Sequence, residues 1–158
     1  MQIRRQAFYL SGKVLRYLGK YQKAVSVLSA VRQQNPFSAE AIAAGLEEAE
    51  ILMDLGRPNE VIASTRQLLH GISDIRLFNE YWISEDELRT RLTDLGNRLR
   101  LNEHYEQALA LANQMIIAFP PSLALRLQAN TLTNWGTSVQ RENSSGDLKS
   151  REIARDIF

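Results

Sequence analysis

Apolar residues recur every three or four positions along this chain, the spacing that gathers them on one face of an α-helix. The first run is Phe8, Leu10, Val14, Leu15 and Leu18. After Gly19 a second run begins with Tyr21, Ala24, Val25, Leu28 and Val31, and it stops at Asn35–Pro36. Glycine tolerates the left-handed backbone that ends a helix and proline cannot continue one, so Gly19 and Pro36 read as stops. Ser38 is the expected N-cap of a helix to about Asp54. Leu55–Gly56 then turns the chain, Pro58 stands at a first helical position, and the next helix is expected to reach His70–Gly71. Ser84 and Glu87 have the spacing of a capping box, opening a helix to about Leu101. Asn102 reads as the N-cap of a helix that ends before Pro120–Pro121. A further helix is expected from about Ser122 to Arg141, then a loop at Ser144–Asp147 and a last helix from Leu148. No stretch alternates as a strand does. The pattern predicts an all-α chain of about eight helices joined by short turns.

Small residues and prolines also repeat at a fixed interval. Gly12, Ala24 and Pro36 are 12 apart, and so are Gly96, Ala108 and Pro120. A tyrosine precedes each alanine by three (Tyr21, Tyr105), and a leucine follows each glycine by three (Leu15, Leu99). These are the mechanics of a helical hairpin. Glycine and alanine let two helices cross closely, tyrosine wedges between hairpins, and proline ends the second helix. On these residues the chain resembles the tetratricopeptide repeat family, whose 34-residue unit is two antiparallel helices. The first and third units match. In the second, Ala49, Val61 and Ser73 stand at the glycine, alanine and proline places, and Leu55–Gly56 carries the likeness as Leu18–Gly19 does in the first. A fourth unit shows Trp135–Gly136, a long turn and a second helix. The resemblance implies one right-handed solenoid of helical hairpins over residues 1–158, with units at about 5–38, 42–75, 89–122 and an irregular 126–158.

The spacing locates the irregularities. Gly12 and Gly96 are 84 residues apart, 16 more than two such units. About three of these fall near Asn35–Glu40 and the other 13 near Ile72–Ser84. That second segment, ISDIRLFNEYWIS, carries Leu77, Phe78, Tyr81, Trp82 and Ile83. It is expected to pack on the neighbouring hairpin; the alternative is an exposed partner patch of Phe78, Tyr81 and Trp82. The last helix ends on Ile157–Phe158, whereas a terminal repeat normally presents a polar outer face. The chain is therefore expected to be a piece of a longer array, or to form a homodimer through its terminal helices, near Ile3, Ile157 and Phe158.

Composition narrows function. Lys plus Arg is 19 and Asp plus Glu is 18, a net charge of +1, so there is no basic surplus to attract nucleic acid. With no cysteine, disulfides, thiolate metal sites and cysteine nucleophiles are excluded. The longest apolar stretch, Ala108–Phe119, is broken by Asn113 and Gln114, which leaves no membrane span. The N-terminus lacks the apolar core of a signal peptide, and a cytoplasmic location is expected. His70 and His104 are 34 apart at helix ends, with no metal-ligand spacing. Glu47, Glu48 and Glu50 are expected to pair with neighbouring hairpins, and Glu85, Asp86 and Glu87 to open a helix. No glycine-rich phosphate loop is present, so neither catalysis nor a cofactor is expected.

What remains is a surface. In the tetratricopeptide family the first helix of each hairpin lines a concave groove that holds an extended peptide. Matching places Tyr9, Lys13, Arg16 and Tyr17 there, then Leu46, Glu47, Glu50 and Asp54, then Thr93, Asp94, Asn97 and Arg100, then Asn130, Thr133, Asn134, Thr137 and Arg141. The resemblance implies that Asn97 and Asn134 grip a ligand backbone, since an amide offers both donor and acceptor. Arg100 and Arg141 would then meet an acidic group. Chaperone-binding members clamp a C-terminal carboxylate with lysine, asparagine and arginine. Here Tyr9, Lys13 and Glu47 depart from that set, and Glu47, Glu50 and Asp54 would repel a carboxylate. Lys13 and Arg16 are expected to neutralise Glu47 and Glu50, leaving the half with Asn97, Arg100, Asn130, Asn134, Thr137 and Arg141 as the candidate site. The expected function is a protein- or peptide-binding scaffold. The alternatives are a structural or self-assembly module, or a regulatory helical domain of a larger protein.

Overall fold

In a computed structural model of the chain, residues 2–34, 36–72 and 80–157 are described, with side chains from Ile3 to Ser144. Seven α-helices lie among them: α1 (Gln2–Tyr17), α2 (Tyr21–Gln34), α3 (Ala39–Asp54), α4 (Pro58–His70), α5 (Glu85–Leu101), α6 (Tyr105–Met115) and α7 (Pro121–Ile157).

Local chemistry sets most boundaries. Ser38 Oγ accepts from the Ala41 amide at 3.1 Å and Ser84 Oγ from the Glu87 amide at 3.1 Å, each satisfying an orphan donor of the first turn. At Ser84 only this half of the capping box forms, because the Glu87 carboxylate turns to Arg91. Three helices end in one motif. The amides of Gly19, Gly56 and Glu103 return to the carbonyls of Arg16, Met53 and Arg100, and those of Lys20, Arg57 and His104 to Leu15, Leu52 and Leu99. This double closure needs a left-handed residue, and φ is +68° at Gly19 and Gly56. At Glu103 a non-glycine residue takes φ 64°. Asn102 is accordingly the C-cap of α5, not the N-cap expected for α6, which follows His104 with no side-chain cap.

The C-terminal third departs most from expectation. Residues 121–157 form one helix of 37 residues, so no loop opens at Ser144–Asp147 and no separate helix starts at Leu148. The Ser144 hydroxyl donates to the Gln140 carbonyl at 2.8 Å, a bond inside the helix rather than a cap. One helical glycine costs only about 1 kcal/mol, and no proline enforces a break. At the other end, α6 stops at Met115, and a turn through Ile116–Phe119 leads to Pro120.

Short turns fold α1 onto α2, α3 onto α4 and α5 onto α6. Helix α1 packs on α2 and α3, α3 also on α2, α4 and α5, and α5 on α6 and α7; α6 packs on α4 and α7. The odd-numbered helices thus succeed one another along one side. Helix α3 is covered all round: its residues from Glu40 to Met53 are buried except Glu50. The core continues through Leu28, Leu68, Leu88, Leu92, Leu95, Leu99 and Leu111.

Two glycines mark close crossings. A Cβ on Gly12 would stand 2.5 Å from Leu28 Cδ2 of α2, as expected within a hairpin. A Cβ on Gly96 would stand 2.6 Å from Leu127 Cδ2, so the leucine filling the α5 notch comes from α7. This contact sets the distance between the two helices that carry the candidate site.

Candidate functional site

The first half of the predicted groove is occupied by its own charges. Arg16 bonds Glu47 and, at 2.7 Å, Glu50. Arg91 on α5 reaches the same two carboxylates, with Nε and Nη2 each 2.7 Å from Glu50 and Nη2 3.0 Å from Glu47. Glu87 adds a third contact to Arg91 at 3.2 Å. The outlying pair, Arg98 with Asp54, is 2.6 Å long and half-exposed. Burial works against the charge on Arg16, Arg91 and Glu50, but the facing charges and hydrogen bonds outweigh it. Both guanidiniums are held above their ordinary value, and the Glu50 carboxyl below its own.

Several residues lie elsewhere than matching placed them. Lys13 does not join the cluster; its Nζ stands 5.7 Å over the Tyr9 ring. Tyr9 and Leu46 are buried rather than facing a groove. Burial pushes the Tyr9 phenol up, and the charge of Glu47 adds to the shift. The Tyr9 ring meets Trp82 edge-on at 5.0 Å, and Trp82 meets Tyr81 at 5.1 Å. Of the patch Phe78, Tyr81 and Trp82, Trp82 packs against the core, Tyr81 is exposed, and Phe78 lies outside the described residues. The side chains of Ile157 and Phe158 also lie outside them, whereas Ile3 is exposed. Glu48 pairs with Arg32, at 2.8 and 3.2 Å.

Where the second half of the groove is expected, α5 and α7 flank two pockets, the second also lined by the α5–α6 turn. One, about 350 Å³, brings Thr93 and Asn97 opposite Leu123, Arg126, Leu127 and Asn130. The other, about 230 Å³, brings Arg100, Leu101, Glu103 and Tyr105 opposite Asn134, Thr137, Ser138 and Arg141. The candidate residues are therefore divided: Asn97 with Asn130, and Arg100 with Asn134, Thr137 and Arg141. The threonine hydroxyls are spent inside their helices, Thr93 on the Arg89 carbonyl and Thr137 on that of Thr133, each at 2.8 Å. Among the described residues no hydrogen bond or ion pair engages the side chains of Asn97, Asn130, Asn134, Arg126 or Arg141. Arg100 Nε is buried without an acceptor. Among the described residues Glu103 is the one carboxylate lining either pocket. At the edge Tyr105 stacks on Trp135, centroids 5.8 Å apart and planes 12° from parallel, which wedges α6 against α7 as expected of that tyrosine.

Sequence reading missed Arg91 and Arg126. Arg91 has a signal: Glu87, Arg91, Asp94 and Arg98 follow at spacings of four, three and four, a charged stripe along α5. Among the described residues no group of three or more His, Cys, Asp or Glu is placed to hold a metal ion, and no helix is long and apolar enough to cross a membrane. No family model, no curated protein and no solved structure matches this chain.

Proposed function

We propose that this chain is a scaffold for an extended peptide or protein segment, built as a right-handed solenoid of tetratricopeptide-like hairpins and without catalysis of its own. The supporting observation is the division of the groove. Over α1, α3 and α5 the charges satisfy one another. Between α5 and α7 the carboxamides of Asn97, Asn130 and Asn134 stand beside Arg100, Arg126 and Arg141 with no partner among the described residues. An extended peptide presents one donor and one acceptor per residue, and a carboxamide answers both. The guanidiniums suit acidic side chains. Random decapeptides displayed on phage and selected on the wild-type protein are expected to be acidic. Asn97→Ala or Asn134→Ala is expected to weaken a selected peptide about tenfold by calorimetry, the loss of one or two hydrogen bonds. Peptides that bind both variants as tightly as wild type would sink this reading.

Self-assembly is the second reading, and α7 favours it. Leu125, Leu132 and Val139 are exposed at intervals of seven, with Ala129 and Gly136 exposed between them. That is a heptad seam with no helix against it among the described residues. If it assembles, light scattering across a concentration series shows the mass rising from 18.0 kDa to twice that. Leu132→Asp then restores the monomer. A constant monomer mass excludes assembly at those concentrations.

A further inference from the structure

On the other side of the fold, α2, α4 and the end of α6 flank an open cavity of about 520 Å³, larger than either pocket between α5 and α7. That is within the usual range for small-molecule sites, about 300–1,000 Å³. It has room for roughly fifteen water-sized groups. Pro36, Leu69 and Ile117 supply apolar wall. Ile117 is 73% exposed at the cavity's rim.

The polar lining is one-sided, because among the described residues no carboxylate lines the cavity. Arg66 stands exposed on α4, with no ion pair or hydrogen bond among the described residues. Arg32 is 8% exposed, and its stem lies over α3 where Gly45 leaves room, an ideal Cβ there falling 3.3 Å from Arg32 Cδ. Nε and Nη2 of Arg32 are engaged by Glu48, while Nη1 is buried without an acceptor. A buried donor in deficit carries a desolvation cost that an incoming oxygen removes. Gln114 is no substitute acceptor. Its Oε1 accepts from the Thr65 hydroxyl at 2.8 Å and its Nε2 donates to the Ile62 carbonyl at 3.2 Å, which fixes the amide as part of the wall.

We propose that this cavity binds a small amphipathic carboxylate, an aliphatic chain ending in one anionic group. The chain lies against Pro36, Leu69 and Ile117, and the carboxylate takes the charge of Arg66 and the spare donor of Arg32. A cationic amphiphile would meet the guanidinium of Arg66, which has no ion pair among the described residues, while the carboxylate beside Arg32, Glu48, is already engaged by it. The site is separate from the α5–α7 groove, so it stands whether or not a peptide binds there.

Sodium octanoate is the probe, with 1-octanol and octyltrimethylammonium as controls, titrated into the full chain and followed by amide chemical shifts. Octanoate is expected to bind below millimolar concentration, shifting the amides of Leu69, Gln114 and Ile117. Octanol and the Arg66→Glu variant are each expected to weaken binding about tenfold or more, the loss of one charge-assisted contact. Arg66 is exposed, and an unchanged far-ultraviolet circular dichroism spectrum verifies that the variant is folded. The proposal is overturned if octanoate leaves these amides unmoved at millimolar concentration. It is equally overturned if octanoate binds wild type and Arg66→Glu alike, or if octanol or the ammonium binds as well as octanoate.

Discussion

Replacing Arg91 with methionine is expected to lower the stability of the fold by about 3 kcal/mol, the scale of removing one partner from a buried ion cluster. Methionine keeps most of the stem volume, so the loss reports charge rather than a cavity. The carboxylates left behind are enclosed, with side chains 5% exposed at Glu47 and 13% at Glu50. Two guanidiniums, from α1 and α5, now satisfy them; one cannot. Urea unfolding measures the loss. Glu50→Gln in the Arg91→Met background is expected to restore part of it, whereas simple additivity would mean the two residues do not interact. Arg98→Met, at a pair more than a third exposed on both sides, is expected to cost well under 1 kcal/mol. The cluster also gives stability a pH dependence. The folded Glu50 carboxyl lies below its ordinary 4.5, so its contribution is complete above that value. It is lost as pH falls from there through the depressed folded value, and Arg91→Met shrinks this acid-side loss.

Gly96→Leu carries the second large effect. Gly96→Ala is expected to be nearly neutral. The added Cβ meets the flexible end of Leu127, which can give, and alanine gains about 1 kcal/mol of helix propensity over glycine. Leucine adds three more carbons beyond that Cβ, more than the end of Leu127, itself 3% exposed, can yield to. Overpacking there is expected to cost about 3 kcal/mol and to force α5 from α7. Peptide affinity should fall with stability, since both pockets lie between those two helices. Leu127→Ala added to Gly96→Leu exchanges large for small across the same contact and is expected to recover much of both losses. If Gly96→Leu unfolds in urea like wild type, the close crossing is not there.

The elements legible in the sequence are those whose ends are written in single residues. Ser38, Ser84, Pro58, Gly19 and Gly56 act within one turn of themselves, and each does what its chemistry predicts. Glu103 hides the third of the three equivalent helix ends, because nothing in a glutamate announces a left-handed backbone. The helix through Ser144–Asp147 was hidden for the opposite reason: residues that prefer turns are carried along when their neighbours favour helix and no proline intervenes. Burial of α3 on all sides depends on what surrounds it, which a stripe cannot express.

For the candidate site, charge pattern was enough to pair Arg16 with Glu47 and Glu50, one hairpin away. It was not enough for Arg91, which lies 41 residues beyond Glu50, across a segment whose length sets the register of α5. Lys13 shows the converse. Its charge is right for the cluster, but from α1 its amine settles over the Tyr9 ring. Spacing placed Asn97 and Asn134 on facing helices, yet in the fold they open onto different pockets.

The most direct test of the groove is an amide and side-chain carboxamide chemical-shift map with a phage-selected decapeptide added to the full chain. The groove predicts the largest shifts at the carboxamides of Asn97, Asn130 and Asn134 and along the facing turns of α5 and α7, with α2 and α4 unmoved. Shifts confined to α2, α4 and α6, with those three carboxamides silent, would contradict it.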